Sequence, residues 1–161
     1  MIPRLTPAFV LAHPAHFVAL GFGSGLAPFA PGTAGTLLAF PLFIALDLVL
    51  PPLSLFGVIV AFFGVGVWAC GRTGRALGIP DHSGMNWDEV VAMMLVLLLT
   101  PEDWGWRAFA FLAFRFFDVL KPPPIRSIDR SMKGGLGVMF DDIVAAFYTL
   151  MLMALVKRLF F

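Results

Sequence analysis

Hydrophobic and polar positions along this chain come in blocks. Five apolar segments stand out, at residues 36–50, 53–70, 89–100, 104–117 and 138–156. Two of the links between them are very short, Pro51-Pro52 and Pro101-Glu102-Asp103. Links of that length join antiparallel helices. The remaining polar stretches are long: residues 21–35, 71–88 and 118–137. Several apolar segments fall short of the roughly 20 residues that span a bilayer unaided. Their helices are therefore expected to tilt or to extend into the polar flanks.

If every segment crosses, all three long stretches fall on one side and both short turns on the other. The shared side carries Arg4, Arg72, Arg75, Lys121, Arg126, Arg130 and Lys133, with Arg115 just inside the adjoining segment. The opposite side carries Arg107, Lys157 and Arg158. This bias makes the shared side cytoplasmic. The expectation is an all-α, polytopic membrane helical bundle of about five hydrophobic helices, with its polar loops gathered on one face.

Composition supports that class. Charged residues make up 13% of the chain and mean hydropathy is +0.92, whereas soluble domains carry roughly 25% charge. Residues 1–161 suffice for a single domain, and no internal repeat, low-complexity tract or linker divides them. A net charge of +1 provides no basic field for nucleic acid. Cys70 is the only cysteine, which excludes an internal disulfide and a Cys-rich metal site. Arg4 ahead of apolar residues resembles the start of a signal peptide, but Pro7, His13, Pro14 and His16 interrupt the run, so the segment is expected to be retained. His13 and His16 are read as interfacial helix residues.

Charge concentrates in residues 114–146, which hold Asp118, Asp129, Asp141 and Asp142 together with Arg115, Lys121, Arg126, Arg130 and Lys133. Ionisable residues that a membrane-class chain keeps in one place point to chemistry. Asp141 and Asp142 fall inside the last apolar segment, where adjacent carboxylates repel unless a cation or arginine intervenes. Asp88 and Glu89 open the third segment. An N-terminal helix-dipole effect, worth about 0.3–1 kcal/mol per charge, accounts for one carboxylate there better than for two. Residues 21–36, GFGSGLAPFAPGTAGT, allow close backbone approach and lead into a helix. That stretch reads either as a membrane-entry turn or as a phosphate cradle, with Ser24 and Thr33 as its hydroxyls. Three acidic clusters with Lys121, Arg126 and Arg130 beside them favour a divalent cation and a phosphate-bearing ligand. A salt-bridge network is the structural alternative, with Arg115 and Asp118 as one pair.

Other phosphatase chemistries are excluded by inspection. There is no Asp-x-Asp-x-Thr, and Ala76 stands where a cysteine-phosphatase loop starting at Cys70 would need arginine. Elimination leaves metal-activated water. A carrier that binds ions through buried carboxylates is the competing class, but its helix breaks belong at the bilayer midplane. Here the Gly/Pro breaks and the charges lie at one interface.

Four motifs, GFGSGLAPFAPGTAGTL (21–37), WDE (87–89), FRFFDVLKPPPIRSIDR (114–130) and GGLGVMFDDIVA (134–145), resemble the phosphatidylglycerophosphatase A family. The resemblance spans about three quarters of the chain. It implies a Mg²⁺-dependent phosphatase of the bacterial inner membrane with its active site facing the cytoplasm. The substrate would be phosphatidylglycerophosphate in the cytoplasmic leaflet, and the products phosphatidylglycerol and inorganic phosphate. It also implies a bundle with one helix surrounded by others. Asp88, Glu89, Asp141 and Asp142 match the family's acidic motifs and are the expected metal ligands. Asp118 and Asp129 are expected as a ligand or the catalytic base, and Lys121, Arg126, Arg130, Ser24 and Thr33 as phosphate contacts.

Overall fold

A computed structural model describes residues 5–161, and every regular element among them is helical. Arg4, assigned above to the basic side, lies outside the described residues. Two short helices, α1 (Pro7–Leu11) and α2 (Pro14–Ala19), lead into a 3-10 turn over Gly21–Leu26. Both begin with proline, and each has a side chain accepting a free N–H: Thr6 Oγ1 from Phe9 and His13 Nδ1 from Ala15. His13 is thus a helix cap. Then follow α3 (Pro31–Asp47), α4 (Pro52–Leu77), α5 (Trp87–Leu98), α6 (Trp104–Leu120), α7 (Ile125–Ser131) and α8 (Gly135–Phe160).

The five apolar segments correspond to α3, α4, α5, α6 and α8, with corrected ends. Helix α3 starts at Pro31, because a proline at the first helical position nucleates it through the small-residue run. Helix α4 runs on to Leu77 and stops where Gly78 adopts φ 69°. The 118–137 stretch contains α7 between two bends and is not a plain loop.

Helix α5 is the core. Val90, Val91, Ala92, Met93, Met94 and Val96 are fully buried, and α3, α4, α6 and α8 pack around them. The expected surrounded helix is α5. Its first turn is fixed by Trp87, whose indole N–H donates to Phe62 O of α4 at 3.1 Å and whose ring lies between Phe22 and Phe62. The outer helices turn large apolar side chains outward, among them Leu37, Phe56, Trp68, Leu112, Phe147 and Met151. Two helices, α4 and α8, each of 26 residues, are long and apolar enough to cross a membrane. At 12 residues α5 is too short to do so alone.

The three long polar stretches meet at one end of this bundle. Gly135, the first residue of α8, lies so close to α4 that a Cβ there would come within 2.8 Å of the Val67 carbonyl carbon. The absence of a side chain lets α8 begin against the α4 backbone, beside Gly71.

Candidate functional site

Asp88 and Glu89 occupy the first turn of α5, and Asp142 lies in the second turn of α8, which packs on it. One carboxylate oxygen from each lies within 4.8 Å of the other two. Asp88 and Asp142 are buried, and the Glu89 side chain is 12% exposed. Asp88 Oδ1, Glu89 Oε2 and Asp142 Oδ2 are buried oxygens without a hydrogen-bond partner. Breaking a buried charge pair by removing one partner costs about 3–5 kcal/mol. A helix dipole returns about 0.3–1 kcal/mol per charge. The dipole is therefore too weak to stabilise three carboxylates facing one another. A hard divalent cation, which takes oxygen ligands and tolerates bound water, fits this donor set.

Asp141 does not join the three. Its Oδ2 accepts from Lys121 Nζ at 2.8 Å, and its Oδ1 accepts the Asp142 N–H at 3.1 Å. Lys121 also donates to Asp129 Oδ1 at 3.0 Å. Lys121 ends α6 in the left-handed region, φ 45° and ψ 62°, a conformation costing on the order of 1–3 kcal/mol in a residue with a Cβ. Burial alone would lower its pKa, but the Asp141 and Asp129 carboxylates outweigh burial and hold the ammonium charged well above its usual range. Next to this knot a cavity of about 330 Å³ is lined by Asp81, Asp129, Lys133 and Gly134, among others.

Arg115 is the cation at the carboxylate cluster. It pairs with Asp118, as expected, and its Nη1 lies 3.7 Å from Glu89 Oε1. A Cβ on Gly32, in the first turn of α3, would sit about 3.1 and 3.2 Å from the two terminal nitrogens of Arg115. The 21–36 stretch thus reaches Glu89 and Arg115 through Gly32, while Thr33 is half-buried beside it. Ser24 Oγ accepts from Asn86 Nδ2 at 2.9 Å. Arg126 and Arg130 are exposed on α7, and neither is in an ion pair among the described residues. Arg126 reaches only the Leu120 carbonyl, at 3.5 Å. Sequence reasoning passed over Asn86 and took Arg115 only for a structural partner. The adjacency of Asn86 to Trp87-Asp88-Glu89 was the one available signal.

Fold and site together define an all-helical bundle whose central short helix presents an acidic centre suited to a divalent cation. A family model described as Phosphatidylglycerophosphatase A matches residues 17–157. Phosphatidylglycerophosphatase A of Escherichia coli (strain K12) is 42% identical over 137 residues, covering 84% of this chain and 78% of that protein. The Haemophilus influenzae protein of the same name is 43% identical over 140 residues, covering 86% and 85%. A third relative, from Bacteroides thetaiotaomicron, carries a provisional name as a phosphatidylinositol-3-phosphatase and is 40% identical over 147 residues, covering 87% of this chain and 91% of its own. No solved structure matches the chain. The chain belongs to the phosphatidylglycerophosphatase A family, phosphatases that act on a phosphate monoester.

Proposed function

We propose that this chain, acting as one domain, hydrolyses phosphatidylglycerophosphate to phosphatidylglycerol and inorganic phosphate at the cytoplasmic face of the bacterial inner membrane. The observation that carries the proposal is the cluster of Asp88, Glu89 and Asp142, each of which also holds a buried carboxylate oxygen without a hydrogen-bond partner. These residues would hold Mg²⁺. When bound, that ion supplies Lewis-acid stabilisation of charge on the phosphoryl oxygens and lowers the pKa of a water. Asp118 is fixed by Arg115, the same guanidinium that reaches Glu89. In this reading it takes the proton of the attacking water as the water's oxygen bonds to phosphorus. The phosphorus–oxygen bond to the glycerol breaks, and the leaving oxygen collects a proton. Arg115 and the first N–H groups of α3, with Ser24 and Thr33 near them, face the phosphoryl oxygens.

Asp141 serves a different part in this proposal. Together with Lys121 and Asp129 it holds α6, α7 and α8 in register, and Asp129 lines the cavity that the headgroup glycerol would enter. Arg126 and Arg130 remain available to phosphate oxygens arriving from the membrane surface. The outward apolar faces of α3, α4, α6 and α8 suit a multi-pass arrangement, with α3 and α6 completing the crossing and α5 enclosed among them.

The test is phosphate release by purified protein from phosphatidylglycerophosphate, with and without Mg²⁺, with phosphatidylinositol-3-phosphate assayed in parallel. Mg²⁺-dependent release from the first lipid is the expected result. Release from the second alone would transfer the reading to the substrate named for the third relative. Equal release in chelator would remove the metal.

A further inference from the structure

Asn86 is wholly buried immediately ahead of the α5 carboxylates. Its Nδ2 donates to Ser24 Oγ at 2.9 Å and to Pro31 O at 2.8 Å, and its backbone N–H donates to Ala19 O at 3.0 Å. A carbonyl oxygen only accepts, so the contact with Pro31 fixes which way the amide points. Its Oδ1 is buried without a partner. An apolar side chain would avoid that cost, so the amide is explained by its two donated bonds.

Those bonds reach both ends of one loop. Ser24 belongs to the 3-10 turn, and Pro31 is the first residue of α3. Because Ser24 Oγ receives the Asn86 hydrogen, its own hydrogen is directed elsewhere. Pro31 immediately precedes Gly32, which lies against Glu89 and Arg115. The start of α3 has no side-chain cap, which leaves its first N–H groups for another acceptor. Room for the amide comes from Gly35, where a Cβ would stand 2.8 Å from Asn86 Cβ.

Building on the phosphatase reading, we propose that Asn86 is a positioning residue. It locks the Ser24 hydroxyl and the α3 N-terminus into a phosphate seat beside the Glu89 carboxylate. Metal-binding helix and phosphate-facing loop are thereby joined by one amide, and the ligand is the phosphoryl group common to substrate and inorganic phosphate.

The experiment uses the full chain in phospholipid nanodiscs. It measures binding of radiolabelled inorganic phosphate in the presence of Mn²⁺ and, separately, Mn²⁺ affinity by electron paramagnetic resonance without phosphate. Asn86→Ala should weaken phosphate binding by about tenfold, the scale of a lost hydrogen bond to a charged group, and leave Mn²⁺ affinity at the parent's value. Ser24→Ala should act in the same direction, and the double variant should fall well short of the product of the two effects. Unchanged phosphate affinity in Asn86→Ala, a parallel loss of Mn²⁺ affinity, or full additivity would overturn the proposal. If Asn86→Ala does not fold, Ser24→Ala decides, and parent-like phosphate affinity there overturns it. A parent that binds phosphate yet hydrolyses neither lipid would sink the lipid-phosphatase reading while the positioning role stands on the binding data.

Discussion

Asp141 and Asp142 are adjacent in sequence and serve different partners. Asp141 accepts from the Lys121 ammonium at 2.8 Å, whereas Asp142 turns toward Asp88 and Glu89 with its Oδ2 unpartnered. Successive residues of an α-helix point about 100° apart, at 3.6 residues per turn. One faces α6 and α7, the other α5.

Isosteric substitutions should therefore separate the two. Asp142→Asn should weaken Mn²⁺ or Mg²⁺ binding by at least about tenfold, the loss seen even when only a ligand's supporting contact is removed. Asp141→Asn should keep metal affinity near the parent's and lower thermal stability. Isothermal titration of the divalent ion, with a melting curve for each variant, distinguishes the outcomes. Equal loss of metal affinity in both would return Asp141 to the metal site.

Lys121→Ala leaves Asp141, whose side chain is 5% exposed, without its cation. Orphaning a buried acceptor costs about 1–3 kcal/mol and more when it is charged, rising toward about 3–5 kcal/mol for a fully buried pair, and the melting temperature should fall accordingly. Adding Asp141→Asn to Lys121→Ala should recover part of that loss, because the neutral amide no longer needs a positive partner. A double variant no more stable than Lys121→Ala would show that the lysine acts through something other than Asp141.

Some of this was legible in the sequence. Asp88-Glu89 stood out at the start of one apolar segment and Asp141-Asp142 inside another, and residues 89–100 read as an apolar segment. That one pair stays together and the other divides was not legible, since it depends on which helix lies opposite. Glu89 joins Asp88 at the cluster with one more methylene than an aspartate, while Asp141 is drawn to a lysine twenty residues earlier, across a chain reversal. Asn86 was hidden for the same reason: its partners Ser24 and Pro31 are 62 and 55 residues away. The start of α3 was misplaced because Gly32-Thr33-Ala34-Gly35 has loop composition, although the preceding proline fits the first position of a helix.

His16 predicts a pH effect. The ring is buried, stacks on Phe9 at 4.3 Å and bonds Thr73 Oγ1 through Nδ1 at 2.9 Å. Burial lowers its pKa below the usual value, with His13 and Arg72 adding to the effect. A lowered folded pKa contributes stability that is complete above the unfolded value, about 6.5, and is lost as pH falls through the folded value. The melting temperature should drop on acidification below that point, and His16→Gln should flatten this part of the profile. An unchanged acid slope in His16→Gln would assign the effect to other groups.

Topology can be read with thiol chemistry because Cys70 is wholly buried, so a Cys70→Ser background disturbs no exposed site. Ser83 and Ser131 are exposed and Ser24 is half-buried, all at the end where the polar stretches meet. Ser54 is exposed in the first turn of α4, whose 26 residues extend about 39 Å at 1.5 Å per residue. Helix α4 meets the start of α8 near its other end, at Gly71. If α4 crosses the bilayer with the basic side inward, Ser54→Cys should react with a membrane-impermeant reagent added to intact cells. Single cysteines at Ser24, Ser83 and Ser131 should be protected there and react in inverted vesicles. The bias of Arg72, Arg75, Arg126, Arg130 and Lys133 toward the polar end sets this direction. Labelling of Ser83→Cys or Ser131→Cys from outside, with Ser54→Cys protected, would invert the protein and place the carboxylate centre on the opposite face. Labelling divided among the three polar stretches would contradict the single-ended site.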